Sequence, residues 1–88
     1  MPPTITWTTG QPSHPPGRQV EDTVLASLRH FIDPKNVRDK VVSIFLEQDQ
    51  LGRNVQGVGY SKDNAPLVRF NYSLVQPWTC PCKYFDSP

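Results

Sequence analysis

One segment with helical periodicity, starting at Val20, restricts the fold more than any other feature of the sequence. Its apolar residues recur at the spacing of a single helical stripe: Val20, Val24, Leu25, Leu28, Phe31 and Ile32. Glu21 and Asp22 fall in the first turn, where carboxylates complement the helix dipole. Asp33 stands before a proline, which predicts the end of the helix, and it is suited to cap a short second turn running to Lys40. A lone amphipathic helix must bury its stripe against another layer.

Three runs with the two-residue alternation of strands follow the helix and indicate that second layer. The apolar residues that share a face are Val42, Ile44 and Leu46 in residues 41–48, Val58 and Tyr60 in residues 54–61, and Val68, Phe70, Tyr72 and Leu74 in residues 67–75. Gly57 and Gly59 weaken the middle run, and they predict a bulge or a close approach by another backbone.

These patterns predict an α+β fold, with one amphipathic helix packed on a small antiparallel sheet of three to five strands. The runs TITWTT (residues 4–9) and KYF (residues 83–85) would widen the sheet. Residues 1–19 are predicted to be an N-terminal strand and a proline-rich linker outside the core, since prolines remove backbone donors. Residues 20–88 then form one small α+β domain that ends in an arm rich in aromatic residues and cysteine.

Composition limits the partners that we expect. Nine Lys and Arg residues against eight Asp and Glu give a net charge of +1, so no strong attraction to phosphate backbones is expected and nucleic acid is an unlikely partner. No apolar run approaches the roughly 20 residues of a membrane helix, and the first residues lack the features of a signal peptide. We therefore expect no membrane association, a cytoplasmic or nuclear location, and reduced thiols.

The motif Cys80-Pro81-Cys82 raises the question of a metal or redox site. Zinc takes four ligands, usually as two pairs, and the chain offers one pair with only His14 and His30 to complete it. A thioredoxin-like role requires two residues between the thiols. We expect no metal site and no cofactor, and we interpret the cysteines as structural thiols. A zinc site completed by a second copy of the chain stays open.

Catalysis is not predicted from any set of residues in the chain. A hydrolytic site needs a nucleophile, a base and a group that orients the base, and neither histidine stands where it would be held in place. The neighbouring carboxylates Glu21 and Asp22, like Glu47 and Asp49, are interpreted as surface charge. We expect no catalytic residues and no enzymatic activity.

Two stretches resemble known families. GVGYSKDNA (residues 57–65) resembles the end of the third strand and the helix start of a double-stranded-RNA-binding domain, which implies RNA binding, although Asp63 and Asn64 stand where that family favours lysines. The order of strand, helix and antiparallel sheet, with Pro77-Trp78 in a late loop, is similar to the layout of cystatins. That resemblance implies inhibition of cysteine proteases, while Gln56-Gly57-Val58-Gly59 departs from the spacing of the cystatin QxVxG motif.

The function predicted from the sequence is recognition of another protein. Aromatic residues in segments with little regular structure are typical of contact surfaces, and the candidates here are Trp78, Tyr84 and Phe85, with Trp7 as a weaker addition. A small sheet also leaves edges that a partner strand or a second copy can extend. We expect a protein partner of unknown identity, with a homodimer as one form of this contact.

Overall fold

The computed structural model describes residues 2–86 and joins five strands into one sheet beside a single α-helix. The elements in chain order are β1 (Thr4–Trp7), α1 (Gly17–His30), a 3-10 helix (Arg38–Lys40), β2 (Ser43–Gln48), β3 (Asn54–Tyr60), β4 (Pro66–Ser73) and β5 (Cys82–Tyr84). The predicted α+β class, with one helix packed on a sheet, is confirmed. Among the described residues, no helix combines the length and the apolar character that crossing a membrane requires.

The sheet is mixed rather than purely antiparallel, and its strands lie in chain order from β1 to β5. β1 pairs with β2 in parallel, with Thr6 opposite Phe45, whereas β2 to β5 form an antiparallel meander. The helix accounts for the parallel pair, because α1 carries the chain back along the sheet before β2 begins. Both terminal segments widen the sheet as predicted.

The core lies between α1 and one face of the sheet. Its buried apolar residues are Val20, Val24, Leu28, Val41, Ile44, Leu46, Val55, Val68, Phe70, Tyr72 and Leu74. Val42 was predicted to share a face with Ile44 and Leu46, which are buried, but it precedes β2 and is exposed, and Val41 is buried in its place. Regular alternation begins only at Ser43, after the chain has left the 3-10 helix.

Val58 and Tyr60 share a face of β3, as predicted, but it is the face turned away from the helix. In the part of the chain that the structure describes, no helix covers this second face, which we call the open face. The glycines of β3 face the core. A β-carbon at Gly57 would lie 2.5 Å from Leu46 Cδ2, and the ladder shifts register between Gly59 and Tyr60, so both the bulge and a close approach are present. The approach is by side chains rather than by backbone.

The helix ends before its apolar stripe does. Phe31 leaves α1 with extended backbone angles. The Arg38 guanidinium donates to the carbonyls of Leu28 (2.8 Å) and Phe31 (2.7 Å), and so supplies partners at the C-terminal end of the helix. Ile32, predicted to lie on the buried stripe, is 88% exposed because it falls beyond this end.

The proline-rich segment packs against the domain. Pro12 is buried and Pro15 is fully buried, while Ser13 forms an isolated bridge with Pro16. The sequence predicted a linker outside the core, and the structure differs in that these two prolines are buried, although neither belongs to the core cluster. A proline ring has no N–H to satisfy, so it can be buried without leaving a donor unpaired.

Residues 61–65 form a turn, and Pro66 begins β4. The resemblance to a double-stranded-RNA-binding domain implies the start of a helix at this place. A strand stands there instead, because alternating apolar residues from Val68 to Tyr72 fill the core face of the sheet.

Candidate contact surface

Three loops meet at one end of the sheet, which we call the loop end: residues 11–16, 49–53 and 74–79. β1 and β2 run in parallel toward this end and β4 reaches it at Ser73, so the strand directions place the loops together. The backbone N–H of Leu74 donates to the Arg53 carbonyl at 2.8 Å and joins the second and third loops. The His14 ring meets the Trp78 ring edge-on, with centroids 6.2 Å apart, and joins the first loop to the third.

The loop end exposes three large apolar side chains. Leu51 in the β2–β3 turn is 75% exposed, and Val75 and Trp78 in the β4–β5 loop are 56% and 36% exposed. Grouped exposed apolar residues are characteristic of sites that contact other proteins, whereas single ones are ordinary. The grouping on two joined loops therefore makes this end the leading contact surface.

Hydrogen bonds hold the Trp78 loop in one shape. The indole Nε1–H donates to the Leu74 carbonyl at 3.0 Å, and the Ser73 backbone N–H donates to the Thr79 carbonyl at 2.8 Å. The Ser73 hydroxyl also donates to the Val75 carbonyl at 2.9 Å. An ordered loop loses less conformational entropy when it binds, so this arrangement favours recognition.

The neighbouring β2–β3 turn is ordered by Asp49. Its carboxylate accepts the Arg53 backbone N–H at 2.8 Å, and this bond, with further ones from Asn54 and Gly52, lowers the pKa of the Asp49 carboxyl. Gly52 takes a positive φ of 67°, which the tight turn requires. Leu51 is therefore presented by a turn of defined shape.

Tyr84, another predicted contact residue, lies at the opposite end of the sheet. Its hydroxyl donates to Asp33 Oδ1 at 2.7 Å and accepts the Lys35 backbone N–H at 3.0 Å. Its ring packs edge-on against Phe31 with centroids 5.5 Å apart. These contacts tie β5 to the segment that follows the helix, so Tyr84 has a structural task whether or not it also meets a partner.

Asp33 organises the same region, although the short helix begins at Arg38 with Val37 as its N-cap residue, and not after Asp33 as predicted. Its two carboxylate oxygens accept the backbone N–H groups of Val37 (3.0 Å) and Arg38 (2.9 Å). Partial burial raises the pKa of the Asp33 carboxyl, but the hydrogen bonds from Tyr84, Arg38 and Val37 together outweigh it, and the pKa lies below its usual value. Burial first, then the Asp33 carboxylate, raises the pKa of Tyr84.

Asp33→Asn is expected to destabilise the protein near neutral pH and to do so less in acid. A depressed carboxyl pKa contributes stability above the ordinary Asp range, near pH 4, and the contribution is lost as pH falls through the folded-state pKa. Urea midpoints at pH 7, 5 and 3 measure the gap in stability between the wild type and Asp33→Asn. Asp49 titrates in both proteins and cancels in the difference. A gap that stays constant from pH 7 to pH 3 would contradict the assignment.

The remaining two predicted residues occupy other places. Trp7 lies on β1, half-buried under the helix, and its indole N–H donates to Glu21 at 2.8 Å. Glu21 thus falls beyond the first turn of α1 and is bonded rather than free surface charge. Phe85 is 38% exposed and follows β5, beside a groove of about 330 Å³ on the open face. The four candidates therefore do not form one patch, and their roles in contact stay predictions.

The two cysteines are free thiols that are partly buried against the core. Burial raises the pKa of the Cys80 thiol, against a smaller opposing effect of the Ser27 hydroxyl. Burial, and then the nearby Cys80 and Asp33, raise the pKa of the Cys82 thiol to about 12. Across residues 2–86, no three His, Cys, Asp or Glu side chains group in a way that could hold a metal ion. The alternative left open by the sequence, a zinc site completed by a second copy of the chain, stays a hypothesis.

Sequence reasoning missed Leu51, Val75 and His14 as members of the contact surface. An apolar leucine in the turn QLGRN was the available signal for Leu51, because turns at a hairpin tip face water. The contact between His14 and Trp78 spans 64 positions of the chain and left no local signal. Comparison of the chain with known protein families, curated proteins and solved structures finds no match.

Proposed function

We propose that the chain is a non-enzymatic protein–protein interaction module that binds through its loop end and through an edge of its sheet. The observation that carries this proposal is the exposure of Leu51, Val75 and Trp78 on two loops joined by a hydrogen bond. Apolar and aromatic anchors of this kind dominate the binding energy of interfaces. The partner is a protein that presents an apolar pocket for the indole, and the cytoplasm or nucleus is the proposed setting.

The ionisable groups with shifted pKa values support a non-enzymatic role. Asp33 and Asp49 use their carboxylates to bind backbone N–H groups of turns. The thiols of Cys80 and Cys82 are held protonated by burial. Each of these groups is accounted for by the stability of the fold, and a reactive group would instead be tuned toward neutral pH.

Trp78→Ala is expected to weaken partner binding about tenfold or more, because it removes the largest apolar anchor of the loop end. The immobilised chain captures proteins from a cell extract, and quantitative mass spectrometry compares the wild type with the variant. Ile32→Ala is the matched control, since Ile32 is exposed and apolar but follows the far end of α1. The proposal requires proteins that the wild type and Ile32→Ala retain and that Trp78→Ala loses.

Circular dichroism decides how a loss of binding is interpreted. If Trp78→Ala keeps the native far-UV spectrum and loses capture, the indole is a contact residue. If the fold collapses, Trp78 belongs to the core. If capture is unchanged in a folded variant, the loop end is not the binding surface.

A cystatin-like protease inhibitor is the second candidate. The β2–β3 turn, the Pro77-Trp78 loop and the N-terminal proline segment lie at one end, which favours this function by its resemblance to the cystatin layout. Gln56 to Gly59 lie within β3 rather than in a hairpin turn, which is a departure from that layout. An assay against a papain-like protease separates the two functions, since absence of inhibition at micromolar protein removes this candidate.

A further inference from the structure

We infer that β1 pairs antiparallel with β1 of a second copy of this chain, about a two-fold axis that passes by Thr6. β1 is an edge strand of the sheet, and β2 pairs with only one of its sides. The Thr4 N–H donates to the Val42 carbonyl at 3.1 Å, and the Thr8 N–H donates to the Leu46 carbonyl of β2 at 2.9 Å. Because alternate residues of a strand point to opposite sides, the backbone groups of Ile5 and Trp7 point outward.

The two edges of the sheet differ in how they are protected. β5 carries Lys83 at the centre of its three residues, and a lysine on an edge strand keeps foreign strands from pairing. The segment from Thr4 to Thr9 contains no charged residue, no proline and no glycine. One edge of the sheet is protected and the opposite edge is not, which indicates that β1 is the edge available for pairing.

The sequence of β1 is complementary to itself in one register. With Thr6 opposite Thr6 of a second copy, Ile5 faces Trp7 of that copy, and such a pair exchanges both of its N–H···O=C bonds. The half-buried side chains of Ile5 and Trp7 then cover one another on the helix side of the sheet. Thr4, Thr6 and Thr8 are exposed on the open face, so no charge meets its own copy across the axis.

Identical strands that pair antiparallel about a two-fold axis form a closed dimer, whereas a contact between β1 of one copy and β5 of another would leave the assembly open. A stable dimer usually buries about 1,200–2,000 Å² in total, and a pair of short strands contributes less, so a Kd on the order of micromolar is expected. The dimer continues the sheet across both copies. This inference rests on the proposed function, in which a sheet edge is one of the two contact surfaces.

Thr6→Lys tests the register directly. The substitution puts two lysine side chains directly opposite each other, with their β-carbons about 5 Å apart across the axis, and we expect the dimer Kd to rise tenfold or more at low salt. Thr4→Lys is the matched control on the same strand and face. In the proposed register the two copies of residue 4 are about 13 Å apart, so its Kd should change about twofold at most.

Sedimentation velocity from micromolar to submillimolar protein measures each Kd, and circular dichroism checks each fold. Mixing Thr6→Lys with Thr6→Glu should restore dimers of mixed composition, since the opposite charges then face each other. A wild type that stays monomeric overturns the inference, as does a Thr6→Lys dimer as tight as the wild type. If Thr6→Lys does not fold, hydrogen exchange of the wild type decides: protection of the Ile5 and Trp7 amides must grow with concentration.

The same variants separate this inference from the proposed function. Trp78 lies on the β4–β5 loop and not on the β1 edge, so Trp78→Ala should dimerise with the wild-type Kd. Thr6→Lys should in turn retain the proteins whose capture depends on Trp78. Failure of dimerisation with intact capture overturns the inference alone, and loss of the Trp78 effect with intact dimers overturns the loop-end contact alone.

Discussion

Gly59→Val is expected to lower the free energy of unfolding by about 2–3 kcal/mol, because the core has no room for a side chain at this position. A β-carbon at Gly59 would lie 2.8 Å from Val68 Cγ2 and 3.0 Å from Val41 Cγ1. Both valines are buried and β-branched, so they cannot turn away without moving the backbone. A chain of this length has a total stability of only about 4–13 kcal/mol, so the loss is large.

Gly10→Val is the control for the intrinsic effect of the substitution. Among residues 2–86, no atom beyond Gly10 and its two chain neighbours lies within 4 Å of a β-carbon at Gly10, so the change in stability should stay within about 0.5 kcal/mol. The loss of stability in Gly57→Ala should lie between those of Gly10→Val and Gly59→Val, since the nearest neighbour of its β-carbon is the flexible end of the Leu46 side chain. Urea denaturation measures all three, and the packing of β3 as described would be wrong if Gly59→Val were as stable as the wild type with an unchanged m-value.

The sequence predicted those helices and strands that bury one face, because their apolar residues recur at the period of the element. The spacing of Val20, Val24 and Leu28 defined the helix, and the alternation of Val68, Phe70 and Tyr72 defined β4. The parallel pairing of β1 and β2 went unpredicted, although a strand, a helix and a neighbouring strand imply it. Local periodicity shows which residues are buried, and it does not show which strands are neighbours.

Features that depend on distant partners could not be predicted. Arg38 donates to the Leu28 and Phe31 carbonyls at the C-terminal end of α1. Ile32 follows this end and is exposed, although the apolar pattern predicted that it is buried. The hydrogen bond between Tyr84 and Asp33 spans 51 positions. The same limit applies to the candidate site, where the Trp78 loop was predicted as an aromatic contact and its neighbours on the β2–β3 turn were not.

The Cys82 thiol of the folded protein is expected to react with DTNB at pH 8 about three orders of magnitude more slowly than in the unfolded chain, and Cys80 is also expected to react more slowly. The thiolate is the reactive form, and raising the pKa of Cys82 to about 12 leaves very little of it at this pH. An unperturbed cysteine has a pKa of about 8.5 and is partly ionised under the same conditions. Absorbance during labelling, with and without guanidinium chloride, measures both rates.

Variants with serine at one cysteine measure the DTNB reaction of the other cysteine separately. In Cys82→Ser, Cys80 should react faster than Cys82 does in Cys80→Ser, because the Ser27 hydroxyl opposes the effect of burial on Cys80, whereas for Cys82 the charge of Arg38 is the last and smallest of the effects on its pKa. Cys80→Ser removes the repulsion from the neighbouring thiolate, and burial should still keep Cys82 slow. Equal rates for the folded and unfolded chains would show that burial neither raises the thiol pKa nor blocks the reagent, and a metal or redox role for Cys80-Pro81-Cys82 would then become the better interpretation.

The raised pKa values of the two thiols also predict that the free energy of unfolding decreases as pH rises into the alkaline range. The folded state holds its thiol protons to higher pH than the unfolded state, so their contribution is complete below the ordinary thiol range. It is then lost as pH rises toward about 12, the folded-state pKa of Cys82. The double variant with serine at both positions lacks this contribution, so its urea midpoint should fall less than that of the wild type between pH 8 and pH 10.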